Sequence, residues 1–177
     1  SDFFDETVRL NVALWYAQYD DIQQTVVAEE INAFPVANAG DADVLGLDIE
    51  AFWSPNEYLN TFAVVGLADE DLDGSTEAAV NSDELPGIPD WTARVGFDFT
   101  YPTGLLDSWD FTVGADVVYS DEYLSALTQL PADQLTIDDY TRLNGFLGLI
   151  QPDGPWSVIL SGTNLTDELA RVLIDGV

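Results

Sequence analysis

Cysteine, histidine, methionine and lysine are all absent from the 177 residues. Without cysteine there are no disulfides and no thiol chemistry. Without imidazole the usual zinc and copper sites and the commonest general base are gone as well. Basic charge is almost missing too. Arg9, Arg94, Arg142 and Arg171 stand against 33 acids, a formal net charge of -29. Phosphate recognition needs a basic surface, so nucleic acid is excluded as a partner and anionic headgroups are disfavoured. Cations are the natural counterions. The same composition also suits a saline medium, in which an acidic surface keeps a protein soluble. No apolar run approaches the roughly 20 residues of a membrane-spanning helix. The chain opens on "SDFFDETVRL" with no methionine and no secretory leader, as expected of a mature product or an excised piece.

What the sequence has in quantity is two-residue alternation. "VRLNVALWYAQY" puts Val8, Leu10, Val12, Leu14 and Tyr16 on one face, and Arg9, Asn11, Ala13 and Gln18 on the other, with Trp15 as an exception. "VLGLDIEAFW" sets Leu45, Leu47, Ile49, Ala51 and Trp53 against Gly46, Asp48, Glu50 and Phe52. "WTARVGFDFTY" and "WDFTVGADVVYS" repeat the pattern. Period two means strands, because successive side chains leave on opposite faces. "LNTFAVVGLA" and "RLNGFLGLI" are apolar on both faces, and "WSVILSGTNL" is the last strand candidate. No convincing amphipathic helix is present; "EYLSALTQLPADQL" reads as a long loop.

Short turns at Ser54–Tyr58, Pro102–Ser108 and Gln151–Pro155 alternate with long connections at Glu29–Asp43, Asp69–Asp90 and Asp121–Asp139. Turns short at one end and long at the other are the layout of an outer-membrane barrel. Trp91 and Tyr101 bracket one apolar stripe, Trp109 and Tyr119 another, and Trp53 and Trp156 sit beside short turns, as aromatic girdles would. The opposite faces carry Asp48, Glu50, Arg94, Asp98, Asp110, Asp116 and Arg142, as a polar lumen would. A soluble sandwich, with the same aromatics in its core, is the competing reading. The expected fold is all-β: an antiparallel meander of about seven or eight strands, outer-membrane barrel in type and incomplete.

Four phrases in order resemble the C-terminal part of the barrel of a TonB-dependent outer-membrane receptor. They are "SDFFDETVRLNVALWYAQYDDIQ", "NAGDADVLGLDIEAFWSPNEYLN", "LPGIPDWTARVGFDFTYP" and "DDYTRLNGFLGLIQPDGPWSVILSGTNLTDE". The resemblance implies nutrient uptake across the outer membrane rather than catalysis. The nutrient would be an iron chelate, a vitamin or a glycan fragment, and the energy would come through an inner-membrane partner. Residues 1–177 would be a single barrel segment without the plug domain and without most of the family's roughly 22 strands. The family's terminal strand, ending in an aromatic residue, does not follow "NLTDE".

An open segment has two unpaired edges, which are templates for further pairing. The alternative function is therefore an acidic β-rich structural protein, a homo-oligomer that assembles through those edges into an extracellular filament or ring. Divalent cations would bridge its carboxylates. Inside the parent barrel the partner of the apolar stripe is lipid. Asp69, Asp71, Asp73 and Gly74 match the opening of an EF-hand loop, which makes Asp69, Asp71, Asp73 and Glu77 candidate calcium ligands. The match ends there: the twelfth position is Val80, not a bidentate Glu, and the flanks are not helical. No cofactor is required. Acid pairs such as Asp20–Asp21, Glu29–Glu30 and Asp138–Asp139 are expected by chance among so many carboxylates, and no enzymatic activity is expected. The Asn164 sequon reads as part of a strand and turn.

Overall fold

A computed structural model describes residues 2–3, 7–25, 36–74, 84–104, 109–125 and 136–169. Among them there is no helix. Ten strands form: β1 Asp2–Phe3, β2 Val8–Thr25, β3 Val36–Asn56, β4 Leu59–Gly74, β5 Trp91–Pro102, β6 Asp110–Ser120, β7 Tyr123–Leu124, β8 Thr136–Ile137, β9 Tyr140–Ile150 and β10 Ser157–Gly162. Eight make one antiparallel sheet in the order β1-β2-β3-β4-β5-β6-β9-β10; β7 and β8 pair separately. Neighbours in the sequence are neighbours in the sheet, apart from the small β7–β8 hairpin between β6 and β9. This is the expected meander, and the sheet is not closed into a barrel.

The register carries the alternation across the whole sheet. Residues directly opposite one another in an antiparallel pair share a face. Leu14, Leu47, Leu67 and Trp91 thus form one row, and Val95, Val117 and Leu143 belong to another on the same face. The apolar face is open rather than packed: Leu14 is 74% exposed, Val95 55% and Leu160 70%. A water-soluble sandwich would bury these residues. Only a single layer whose apolar side meets another apolar phase keeps them this way.

Three connections differ from expectation. β3 begins at Val36, so the connection set at Glu29–Asp43 ends earlier. β4 runs to Gly74, so the one set at Asp69–Asp90 begins later. The one set at Asp121–Asp139 contains β7 and β8. The backbone ladder runs on through the acids of β3 and β4, with Asp43 opposite Asp71 and Asp41 opposite Asp73, so the chain stays extended beyond its apolar part. β2, β3 and β4 have 18, 21 and 16 residues, well above the 9–11 that cross a bilayer.

Gln18 is also placed differently: it lies on the same face as Tyr16, not opposite. Both donate to Asp43 Oδ1, at 3.1 and 2.7 Å, because β2 keeps its register against β3 as far as Tyr19. The break comes next, where Asp20 and Asp21 together oppose Asp41, with Asp21 at φ 54°.

Candidate functional site

The second face of the sheet gathers the polar chemistry. Asp48, Glu50, Arg94, Asp98, Asp110, Asp116 and Arg142 all lie on it, as their positions in the alternation require. Asn11 Nδ2 donates to Glu50 Oε2 at 3.0 Å, and Trp15 Nε1 to Asp48 Oδ2 at 3.0 Å. Trp15, Phe62 and Phe146, three of the apolar residues on this face, each lie over a glycine directly opposite, at Gly46, Gly96 and Gly114. A ring laid over a bare backbone covers it and keeps the wall low.

A hydrogen-bonded chain crosses this wall. Arg94 donates to Asp116 through Nε (3.2 Å) and Nη2 (2.9 Å). Asn144 Nδ2 donates to the same carboxylate at 2.9 Å, and the Asn164 amide donates to Asn144 Oδ1 at 3.0 Å. Asn164 closes the turn after β10: its Oδ1 accepts from the Glu168 amide and its Nδ2 donates to the Glu168 carbonyl. The sequon asparagine is thus a turn residue. Arg9 lies 4.4 Å from the Phe52 ring centre and Arg142 4.4 Å from that of Tyr140. All three described arginines therefore sit on the polar face, a placement that the alternation predicts for each.

At the long-loop end a strap, residues 84–90, lies against the polar face. The Ala68 amide donates to the Asp90 carbonyl (2.9 Å) and the Gly87 amide to the Leu124 carbonyl (2.8 Å). Leu85 and Ile88 pack on a cluster of Ala39, Ala42, Val44, Leu72 and Leu124. Between strap, wall and β7 is a cavity of about 330 Å3, lined among others by Thr92, Arg94, Ser120, Tyr123 and Tyr140. Those hydroxyls, rings and guanidinium can hold a polar solute. The alternation of the two strands already places Thr92, Arg94 and Ser120 on the polar face, whereas Tyr123 and Tyr140 were missed. The spacing of Tyr140, Arg142 and Asn144 was the signal for one face; the strap was not readable, because its contacts lie far away in sequence.

Asp69, Asp71 and Asp73 lie on β4, on the outer continuation of the apolar face, opposite Leu45, Asp43 and Asp41. Same-face residues two apart are spaced by about 6.8 Å, too far for one ion with ligands at about 2.5 Å to gather all three. Among the described residues no three acids form a metal-binding group, and Glu77 lies outside them. Asp43 accepts from Tyr16 and Gln18, and Asp41 from the Asp21 amide (2.8 Å), so part of this acidic rim is tied into β2.

The family profile described as "TonB dependent receptor-like, beta-barrel" matches residues 1–165. Solved structures of similar fold include the siderophore receptor PiuA from Acinetobacter baumannii, with TM-score 0.67 and 18% identity over 97% of this chain. The ferric yersiniabactin uptake receptor FyuA from Yersinia pestis gives 0.73 and 19% over 96%. BauA, the ferric preacinetobactin receptor from Acinetobacter baumannii, gives 0.65 and 14% over 93%. At these identities the likeness is one of fold. This chain spans about a quarter, 24%, of each of those receptors.

Proposed function

The chain belongs to the TonB-dependent receptor-like β-barrel family, and from that premise we propose that it forms part of the wall of an outer-membrane receptor for nutrient uptake. The apolar face meets lipid and the polar face lines the lumen. The short turns face the periplasm; the strap and acidic strand ends stand at the outer mouth. The observation that carries this reading is the division of the sheet into an exposed, mainly apolar face and a face holding all three described arginines. From Trp91 to Tyr101 the band is ten steps along β5, about 34 Å, or about 24 Å tall at a 45° tilt, near the roughly 25 Å of such barrels. The whole receptor would draw energy from an inner-membrane partner. The solved receptors of similar fold, for a siderophore, ferric yersiniabactin and ferric preacinetobactin, support a ferric chelate as the class of cargo. The free edges at β2 and β10 are completed by further strands of the same receptor rather than by copies of this chain, a reading supported by the span of only 24% of each solved relative, which leaves length for such strands.

This chain has no cysteine, so in a receptor whose remaining cysteines are replaced a single new thiol reports directly. In the full receptor in vesicles, Thr92→Cys should react with a membrane-impermeant maleimide and Val95→Cys should be protected. Equal labelling of the two would overturn the assignment of faces.

A further inference from the structure

The apolar face holds a groove of about 630 Å3. One bank is the row Trp53, Thr61, Phe97 and Ala115; the other is the row Ala51, Ala63, Val95 and Val117. Its floor is the backbone of the row between them, Phe52, Phe62, Gly96 and Asp116, whose side chains leave on the polar face. Small side chains at Ala51, Ala63 and Ala115 keep the channel wide where neighbouring rows carry Leu, Ile or Val. Its ends are Val8 on β2 and Leu143 on β9, so it crosses six adjacent strands.

At about 4.8 Å per strand the groove is about 24 Å long. Barrel strands tilt by about 45°, so a groove at right angles to them is inclined by about as much and climbs about 17 Å. That is about two thirds of the roughly 25 Å apolar band of such barrels. At one end Val8 pairs with Trp53, which is 51% exposed at the short-turn girdle; at the other Leu143 pairs with Val117, one same-face position from Tyr119. The groove thus runs from the short-turn interface past the middle of the apolar band.

We propose that this groove seats a single acyl chain of a phospholipid from the short-turn-side leaflet, with its headgroup beside Trp53. The occupant follows from the lining, which is apolar and continuous with the lipid-facing surface, and from the shape, a single groove about 24 Å long that starts at the short-turn interface. The proposal rests on the reading of the sheet as a membrane-facing wall.

The full-length receptor would be purified in detergent, supplied with palmitoyl-oleoyl phosphatidylethanolamine and examined by native mass spectrometry as the detergent is raised. One phospholipid per receptor should outlast the rest. Ala63→Leu and Ala115→Leu, which fill the groove, should each lose it. Val65→Leu, one row away on the same face, should keep it. A wild-type receptor with no outlasting lipid, or groove-filled variants that retain it, would overturn the proposal. If Val95→Cys stays protected from maleimide in that case, only the groove is lost and the wall stands; if Val95→Cys labels, the wall reading itself has failed.

Discussion

Glu70 stands opposite Val44 on the polar face, beyond the Leu67–Trp91 row that ends the apolar band, and its Oε2 has no hydrogen-bond partner. Burial first, then the charges of Asp90, Glu84 and Asp69, push its carboxyl up from 4.5 to about 7. Between those values the folded protein holds a proton that the unfolded chain has lost. Docking of the strap is therefore firmest below about 4.5 and loosens as pH rises through about 7. Amide exchange at Gly87, corrected for its intrinsic rate, should show protection falling over that window, and Glu70→Gln should flatten the profile. Gly96 is constrained by shape. A Cβ there would lie 2.6 Å from the Phe62 ring and 2.8 Å from the Ala115 carbonyl oxygen, a backbone atom that cannot step aside. Gly96→Ala should cost about 1–3 kcal/mol in denaturant unfolding of the receptor. Neither residue stood out in the sequence, because what singles them out is a neighbour on another strand.

The strands sort substitutions by parity. Arginine at Val95, in the middle of the β5 apolar stripe, should cost about 2–4 kcal/mol in folding into vesicles, whereas arginine at Asp98 on the polar face should cost far less. A soluble sandwich would not show that contrast between two exposed positions. The turn after β10 depends on Asn164, which combines φ 52° with two side-chain hydrogen bonds to Glu168. Asn164→Ala should lower stability by about 1–3 kcal/mol, since it loses the bonds and keeps the strained backbone. Asn164→Gly relieves the backbone only and should recover part of the loss. Parity was legible wherever apolar and polar residues alternate, as in β5. It was not legible at Asp69–Asp73, where every other residue is acidic and the same pattern suits a calcium loop.

For the whole molecule, the two unpaired edges matter most. Among the described residues β2 pairs with β1 over two residues only, and β10 has a neighbour on one side only. In the full receptor the outer-edge amides of β2 and β10 should be strongly protected from exchange; in the isolated chain they should exchange quickly. Protection in a monomeric isolated chain would contradict completion by further strands. The all-β class, the assignment of most residues to the two faces and the girdles follow from the order of amino acids alone, because a strand's side-chain period is two whatever lies beside it. Other features required the folded sheet. The seat of Trp15 on Gly46, the Arg94–Asp116–Asn144–Asn164 chain, the strap over Glu70 and the groove between two rows all depend on register and on contacts between distant segments. A one-dimensional pattern fixes which way a side chain leaves the strand, but not what it meets there.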